Sequence, residues 1–298
     1  MREGRVIKAY NSFFYVHTAE GMVTCKLRGK FKQRRQSDAV LPGDRVLIDD
    51  LPDGSGVVEE RLERRNLLRR PAVANLDQVI LTFAAAEPDL HPLLLNRFLV
   101  LAEWSGIPEI RICVNKKDLY DGDIVAFLAD YERIGYPVMR VSALQNKGID
   151  DLRQVLAGRV TVFAGPSGVG KSSLLNAVDP SLALTTGSVS DKIKRGRNTT
   201  RVAKLLPYAG GYIVDTPGFS AMDLTGLMPE ELAWLFPEFR PYEGKCRFLP
   251  CSHSHEPDCA VKQAVESGSI TRERYDAYLT ILDDVKTNAL QQRKKEYK

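Results

Sequence analysis

The sequence has no long hydrophobic run. Its apolar stretches are far shorter than the roughly 20 residues that a membrane-spanning helix needs, and the charged start Met1-Arg-Glu-Gly-Arg5 is not followed by the apolar core of a signal peptide. At 298 residues, 44% hydrophobic and 27% charged, the chain can still bury cores for two or three domains. We therefore expect a cytoplasmic, multidomain globular protein with no membrane partner.

Cysteine is scarce, and its distribution does not suit a disulfide framework. Two of the five cysteines, Cys25 and Cys113, stand alone. The others form a cluster with one histidine: Cys246, Cys251, His253 and Cys259. Three thiolates and an imidazole match the Cys₃His set of a structural zinc site, with His255 as a competing imidazole. Free thiols in a small core are the alternative, which the surrounding Pro, Ser and Asp disfavour because they offer little apolar material.

A large excess of either charge is also absent, since 42 Lys and Arg against 38 Asp and Glu leave a net charge of +4. The basic residues nevertheless cluster. A second basic run, from Lys192 to Lys204, lies far along the chain from the first. The first run consists of Lys26, Arg28, Lys30, Lys32, Arg34 and Arg35. Such runs favour a polyanionic partner, although a solvated loop explains them equally well.

The first 65 residues have the composition of short β-strands. Five segments rich in β-branched and aromatic residues are separated by Gly or Pro turns, at about 5–10, 13–17, 22–27, 44–48 and 56–60. Five strands in this length predict a small closed barrel of the OB-fold type, which commonly binds oligonucleotides. Because Phe13, Phe14, Tyr15 and Phe31 accompany the first basic run, we favour RNA binding over a barrel that only packs on its neighbour.

A phosphate-binding loop follows the apolar run at 160–164. Residues 165–172 read G-P-S-G-V-G-K-S and match G-x-x-x-x-G-K-[ST] between a predicted strand and a predicted helix. Glycines let backbone N–H groups approach phosphate oxygens, Lys171 can reach the β and γ phosphates, and the Ser172 hydroxyl is placed to ligate magnesium. An ordinary Gly-rich turn is the alternative. The predicted nucleotide-binding residues here are Gly165, Pro166, Ser167, Gly168, Val169, Gly170, Lys171, Ser172 and Ser173.

Strands alternate with helices before this loop, which predicts a parallel sheet. The strand at 109–114 ends in Asn115-Lys116-Lys-Asp118. Asp118 is placed to accept from the two donors on the guanine edge, and Asn115 to meet the opposite side, whereas adenine offers no such donor pair. Ser142 and Ala143 end a further strand, where N–H groups could meet the guanine oxygen. The motif also fits an exposed helix start, but it disfavours an ATP-dependent kinase or motor.

Two more candidate elements lie downstream of the phosphate loop. A predicted strand at 211–215 ends in Asp215-Thr-Pro-Gly218, where Asp215 could hold magnesium and the Gly218 amide could contact a γ-phosphate. Thr199 and Thr200 lie in a polar stretch, and Thr200 is a third candidate magnesium ligand. Asp-Thr-Pro-Gly is also a good turn sequence in its own right.

The chain contains the five elements of a Ras-like GTPase in rotated order: N-K-x-D, S-A, G-x-x-x-x-G-K-S, a Thr pair and D-x-x-G. Such rotation is tolerable because domain termini usually lie close together at the surface. With the barrel before them and the cysteine cluster after them, they make the whole chain resemble the circularly permuted GTPase family called ribosome small-subunit-dependent GTPase A.

The resemblance implies a GTPase that acts late in assembly of the bacterial small ribosomal subunit and is stimulated by it. The alternative is an RNA-binding assembly factor that uses GTP and GDP as an affinity switch with negligible catalysis. The implied partners are the small subunit, its rRNA and GTP, and the implied cofactors are GTP or GDP, Mg²⁺ and one structural Zn²⁺. We expect a monomer.

The expected fold is multidomain: an all-β OB-fold RNA-binding domain at 1–65, a permuted α/β P-loop GTPase domain at 66–222, and a mainly helical zinc-knuckle domain at 223–298. Catalytic roles are implied for Lys171, Thr199, Thr200, Asn198 and Gly218. Asn198 stands where the family commonly carries a histidine, and Phe219 where many Ras-like GTPases carry glutamine. An amide does not titrate near neutral pH, so we expect slow intrinsic turnover.

Overall fold

The computed structural model describes residues 1–29, 39–119, 124–182, 184, 203–215 and 223–296. The chain divides into two compact units. The first unit comprises Met1–Pro88, Ser105–Asp121 and Met139–Ala221, and the second comprises Asp89–Trp104, Gly122–Val138 and Met222–Lys298.

The described residues form a set of helices that we number in chain order. The α-helices are α1 (Pro92–Trp104), α2 (Ile124–Ile134), α3 (Ile149–Leu156), α4 (Lys171–Val178), α5 (Pro229–Leu232), α6 (Ala260–Glu266) and α7 (Arg272–Glu296). Short 3₁₀ helices span Lys117–Leu119, Pro180–Leu182, Ala233–Leu235 and Pro237–Tyr242. Across the described ranges, we find no helix with both the length and the apolar character needed to span a membrane.

The N-terminal strands close into a barrel, as the sequence predicted. They are β1 (Arg2–Tyr10), β2 (Phe13–Thr18), β3 (Gly21–Leu27), β4 (Arg45–Asp50) and β5 (Gly56–Arg61), in the order β1-β2-β3-β5-β4. Strands β3 and β5 are parallel, and the pairs β1–β2, β2–β3, β1–β4 and β4–β5 are antiparallel. Alternate side chains such as Val6, Val16 and Ile48 fill the interior. Phe14 is also buried there, whereas its neighbours Phe13 and Tyr15 remain available to a partner.

The basic composition of residues 61–70 predicts a linker between two domains, but this stretch contains strands and ion pairs. Strand β6 (Leu67–Arg69) pairs with β7 (Ala72–Ala74) in a short hairpin. Arg64 binds the fully buried carboxylate of Asp44 at 2.7 Å, and Arg65 binds Asp77 at 2.7 Å. Charge in this stretch therefore holds the barrel and the following sheet in place rather than solvating a spacer.

The central sheet has six strands in the order β10-β9-β8-β11-β13-β12. These are β8 (Gln78–Ala84), β9 (Glu109–Asn115), β10 (Val138–Arg140), β11 (Val160–Ala164), β12 (Lys204–Tyr208) and β13 (Gly211–Asp215). Strands β9, β8, β11 and β13 are mutually parallel, and β12 is antiparallel to β13. Sequence analysis did not predict β12, whose Pro207 is compatible with its position at the sheet edge.

Helices α3 and α4 contribute to one hydrophobic core of the first unit. Leu152 and Leu156 of α3 and Leu174 and Leu175 of α4 join Ile80 in a buried cluster with side chains of β9, β11 and β13. The strand and helix that flank residues 165–170 are both fixed in this core. The loop between them is therefore held at both ends.

The second unit is mainly helical and contains the cysteine cluster. The pattern predicts a helix over residues 271–291 followed by a basic tail, but α7 runs through that tail to Glu296. Arg274, 2% exposed, binds Glu238 at 2.6 and 3.0 Å, also binds Asn96, and lies 4.6 Å from the Phe236 ring centroid. A guanidinium this deeply buried needs a carboxylate partner, and Glu238 supplies it.

Candidate functional site

The predicted nucleotide-binding residues meet at one edge of the sheet. Because β8, β9, β11 and β13 are parallel, the segments after them leave from the same edge. Asn115 ends β9, the glycine-rich loop follows β11, and Asp215 ends β13. In open α/β sheets this carboxyl edge is where ligands bind. The sheet thus brings together residues that are 100 positions apart in the sequence.

Two glycines of the loop cannot be replaced without strain. Gly165 has φ +144°, and a Cβ there would overlap the carbonyl oxygen of Thr82 on β8. Gly170 has φ +87°, and its Cβ would come within 2.5 Å of the Asn115 side-chain nitrogen. Gly170 also forms the N-cap of α4, which begins at Lys171. The loop therefore runs close to two neighbouring strands and delivers the positive end of a helix dipole to the carboxyl edge.

Lys171 lies folded against the loop. Its Nζ donates to the carbonyl oxygens of Gly165 at 2.8 Å and Pro166 at 2.5 Å. Burial lowers the pKa of this amine to about 8, because no carboxylate among the described residues offsets the lost hydration. The ammonium is thus held at the start of α4, and a polyphosphate would supply the negative charge that it lacks.

Asn115 connects two loops of the site to strand β9. It is 2% exposed, its Nδ2 donates to the Val169 carbonyl at 3.0 Å, and its Oδ1 accepts from the Ala143 N–H at 3.1 Å. Sequence analysis placed this side chain against guanine. In the structure both of its polar atoms bind protein backbone, so it fixes the glycine-rich loop and the Ser142-Ala143 turn relative to β9.

Asp118 and Ser142 form the other side of the candidate base pocket. The Ser142 hydroxyl donates to Asp118 Oδ1 and accepts from the Gln145 N–H at 3.0 Å. Ser142 is fully buried, whereas Asp118 is only half-buried. None of the described residues donates to the second carboxylate oxygen, which can accept from a ligand donor pair. Lys116, with φ +60°, reaches back to the Glu87 carbonyl.

Two described residues at this edge of the sheet suit Mg²⁺. Ser172 lies in the first turn of α4, directly after the loop that follows β11, and Asp215 ends the adjacent parallel strand. A hydroxyl and a carboxylate at one sheet edge are the hard oxygen donors that magnesium prefers. Asn198, Thr199, Thr200 and Gly218 lie outside the described residues, and their predicted roles remain predictions.

The cysteine cluster has the dimensions of a zinc site. Ligand atoms of Cys246, Cys251, His253 and Cys259 all lie within 4.8 Å of one another. The sulfurs of Cys246 and Cys259 are 3.8 Å apart, and His253 Nδ1 is 3.6 and 3.4 Å from them. A tetrahedron with zinc–sulfur and zinc–nitrogen bonds of ordinary length has edges of about 3.8 and 3.6 Å.

Burial also shifts the pKa values of the side chains in this cluster. Burial raises the pKa of Cys251 to about 12 and also raises the pKa of Cys259, so without a cation these thiols stay protonated. Burial lowers the pKa of His253, which keeps the imidazole neutral and able to bind metal. His255, the competing imidazole, is exposed, and its Nδ1 hydrogen-bonds the Ser254 hydroxyl at 3.0 Å.

Three side chains that sequence analysis did not assign support this loop. Tyr275 donates to the His253 carbonyl at 2.7 Å, and Tyr278 donates to the Ser252 carbonyl at 2.6 Å. Glu256 accepts from the Ser252 N–H and hydroxyl at 2.7 Å. Both tyrosines also belong to the apolar stripe that the sequence pattern predicts for a helix over residues 271–291. A buried tyrosine needs a partner for its hydroxyl, and that requirement was the available signal.

Only part of the predicted RNA-binding run is described. Lys26 ends in solvent with its Nζ 5.3 Å from the Phe13 ring centroid, whereas Arg28 binds the buried carboxylate of Glu59. Lys30, Lys32, Arg34 and Arg35 lie outside the described residues. Next to Phe13, Lys8 Nζ lies 5.5 and 5.6 Å from the ring centroids of Tyr10 and Tyr15. The barrel thus presents half-exposed aromatic rings with ammonium groups between them.

Two family models and several curated relatives match this chain. The RsgA GTPase family model matches residues 61–225, and the RsgA N-terminal domain model matches residues 3–58. The small ribosomal subunit biogenesis GTPase RsgA of Moorella thermoacetica is 48% identical over 286 residues, which are 95% of this chain and 97% of its own. Its counterpart from Geobacillus thermodenitrificans is 46% identical over 96% of this chain and 98% of its own.

Two solved structures are similar over nearly the whole chain. The crystal structure of YjeQ from Thermotoga maritima superposes with a TM-score of 0.83 at 40% identity, and covers 95% of this chain and 98% of its own. YloQ, described as a circularly permuted GTPase, has a TM-score of 0.81 at 38% identity, with 96% of both chains covered. The predicted circular permutation of the GTPase domain is confirmed.

Proposed function

The chain belongs to the RsgA GTPase family and is a GTP-hydrolysing enzyme, and on this premise we propose that it acts on the small ribosomal subunit late in that particle's maturation. It would hydrolyse GTP to GDP and phosphate, with hydrolysis stimulated by the subunit. Relatives of nearly the same length are named for biogenesis of that subunit. We also propose that the protein acts in the cytoplasm, as a monomer.

The observation that supports a regulated guanine-nucleotide site most directly is the position of Asn115. One buried amide bonds both the phosphate loop, at Val169, and the turn at Ala143. Base-reading and phosphate-binding loops are therefore mechanically connected, which is what nucleotide-specific binding requires. A base that does not fit beside Asp118 would disturb the loop that binds phosphate.

Each side chain has a proposed part in binding and turnover. Lys171 exchanges its two loop carbonyls for phosphate oxygens, and the N–H groups of residues 167–173 donate to them. Ser172 and Asp215 would hold Mg²⁺, which when bound neutralises charge on the phosphates. Asp118 accepts from guanine, and Ser142 fixes the orientation of its carboxylate. Thr199, Thr200, Gly218 and Asn198 are proposed to complete the catalytic side.

We propose three functional domains with the boundaries 1–65, 66–222 and 223–298. The barrel would contact rRNA with Lys26, Arg28 and the following basic residues Lys30, Lys32, Arg34 and Arg35, helped by the aromatic rings of Tyr10, Phe13 and Tyr15. Cys246, Cys251, His253 and Cys259 would bind a structural zinc ion, since all four positions of a tetrahedron are filled by protein.

The proposal is tested by GTP turnover with and without purified small ribosomal subunits, with ATP as the control nucleotide. We expect slow turnover alone, strong stimulation by the subunit, and no comparable turnover of ATP. Lys171→Ala should abolish turnover under both conditions. Equal turnover of ATP and GTP, or an Lys171→Ala variant of normal rate, would contradict the assignment.

The alternative, an assembly factor with negligible catalysis of its own, is not favoured, because the relatives are named GTPases over their full length. It would be recognised by tight, GTP-specific binding of the subunit without any stimulation of turnover.

A further inference from the structure

A second cationic site lies where the barrel meets the central sheet, away from the basic run at 26–35. A cleft of ≈ 330 Å³ opens here. Its lining comes from β1, β2, β4 and β13, with these residues: Glu3, Gly4, Arg5, His17, Thr18, Ala19, Arg45 and Tyr212. None of them belongs to the nucleotide or zinc sites.

Register places three of the basic residues in one row. Arg5 of β1 lies directly opposite His17 of β2 on one side and Arg45 of β4 on the other. Like charges directly opposite on neighbouring strands are destabilising. The carboxylate of Glu3 offsets the positive charge of Arg45, because it accepts a hydrogen bond from Arg45 Nε at 2.6 Å. This hydrogen bond holds the pKa of Glu3 below its usual value.

The charge of Arg5 is offset only from a distance, by the carboxylates of Glu3 and Asp77. Among the described residues Arg5 has no carboxylate in contact, and its one hydrogen bond, to the Gly43 carbonyl, is long at 3.5 Å. The nearby carboxylate of Asp77 is already bound by Arg65 at 2.7 Å and by the Val160 N–H at 2.8 Å. Burial lowers the pKa of Arg5. The guanidinium lies 5.5 Å from the centroid of the Tyr212 ring, and the described residues leave most of its N–H donors unused.

His17 and Tyr212 add a further donor. His17 Nδ1 and the Tyr212 hydroxyl are 2.6 Å apart, with the two rings edge to face. A neutral pair of these groups carries two protons, of which one lies between them. The other, on His17 Nε2 or on the Tyr212 oxygen, remains available to an acceptor whichever tautomer is present.

We propose that this cleft binds a phosphate group of an RNA backbone, with Arg5 supplying the charge and the His17–Tyr212 pair a neutral hydrogen bond. This inference rests on the proposed function, because it takes RNA as the partner. A phosphate seated here would neutralise the Arg5–Arg45 row and satisfy the unused donors. It would also contact β13, the strand that ends in Asp215 at the nucleotide site.

An RNA phosphate fits the cleft better than a free phosphate ion. No helix N-terminus and no glycine-rich loop contributes N–H groups to the lining. A free ion would therefore have few donors and bind weakly. A phosphate that belongs to RNA is held near the cleft by contacts elsewhere on the barrel, so a few donors suffice.

The test measures RNA affinity of the full-length protein loaded with a non-hydrolysable GTP analogue. The probe is a fluorescently labelled single-stranded RNA of about 12 nucleotides, followed by anisotropy between about 50 and 200 mM salt. Arg5→Gln should weaken binding about 5- to 20-fold and reduce the magnitude of the salt slope by about 0.7, the value of one lost phosphate contact. Arg5→Lys keeps the charge and should retain the slope. Tyr212→Phe should weaken binding less and leave the slope unchanged.

Arg2→Gln is the matched control. Arg2 is on the same strand, but its guanidinium is bound by Glu20 and by Asp50. We expect its affinity and salt slope to equal those of the wild type. If Arg5→Gln behaves like Arg2→Gln, the inference is wrong while the proposed function stands. If the wild-type protein does not bind the RNA at all, the inference falls together with the RNA part of that function.

A free phosphate ion is distinguished by a separate arm with inorganic phosphate alone. Thermal stabilisation of the wild type that Arg5→Gln abolishes, with RNA binding unchanged by the substitution, would assign the cleft to a free ion and overturn the RNA assignment. No stabilisation by inorganic phosphate, with the expected loss of RNA affinity, supports it.

Discussion

Replacing Asn115 with alanine tests whether the nucleotide site depends on one buried amide. The substitution removes the 3.0 Å bond to the Val169 carbonyl and the 3.1 Å bond from the Ala143 N–H. Each backbone group left without a buried partner costs about 1–3 kcal/mol. Two such losses total about 2–6 kcal/mol, of which water entering the polar pocket recovers a part.

Part of this free energy lowers GTP affinity, because the variant must order the glycine-rich loop and the Ser142-Ala143 turn around the nucleotide. We take it as about 1.4–2.8 kcal/mol, which corresponds to a 10- to 100-fold rise in the GTP dissociation constant. Titration calorimetry or a fluorescent GTP analogue measures it. Gly170→Ala should have an effect in the same direction, because its Cβ would press on Asn115 Nδ2 at 2.5 Å.

Asn66→Ala is the matched control. Asn66 is 8% exposed and bonds the Leu76 backbone in the same way, with Nδ2 to the carbonyl at 2.8 Å and Oδ1 from the N–H at 2.9 Å. Leu76 precedes β8, at the end of the strand opposite the site. The control should lose similar stability but bind GTP normally. Equal loss of GTP affinity in both variants, or normal affinity in Asn115→Ala, would refute the reasoning.

Three further predictions concern the other groups of the two candidate sites. Because the pKa of Lys171 is lowered to about 8, raising the pH from 7 to 9 removes its proton in the nucleotide-free protein, and the GTP dissociation constant should rise about tenfold. Lys171→Arg stays charged over this range, so its pH dependence reports the titration of the nucleotide alone. If the dissociation constants of the wild type and of Lys171→Arg change with pH in the same way, the prediction is wrong. His253→Ala should lower the zinc content of the purified protein, measured by a chelating dye, whereas His255→Ala should retain it; the reverse outcome would exchange the two ligands. Burial raises the pKa of Glu256, but hydrogen bonds from Ser252 and Ser254 outweigh it and lower the pKa to about 2. The ionised carboxylate therefore stabilises the fold above pH 4.5, and this contribution disappears as the pH falls towards 2. Glu256→Gln should lower the melting temperature at pH 7 by a few degrees. An unchanged melting temperature would show that the carboxylate does not support the zinc loop.

Local patterns were sufficient for much of the fold. The phosphate loop is a contiguous motif whose glycines and lysine act within a few residues of one another, and the zinc cluster spans one short segment. The barrel was predicted from strand composition and spacing. Even the interior position of Phe14 could have been predicted, because alternate residues of β2 face opposite sides of the sheet.

The sequence alone indicates which chemistry the protein carries: the phosphate loop, the candidate guanine-reading motif and the candidate zinc ligands. The tertiary structure decided which of these groups act together. It bonded Asn115 to Val169, placed Arg5 and His17 beside Tyr212, and paired Arg28 with Glu59. These contacts join residues far apart in the chain, and they follow from strand order and register in the folded molecule. Periodicity and short motifs report only on neighbours within a helix or a strand, so no local pattern could have identified those partners.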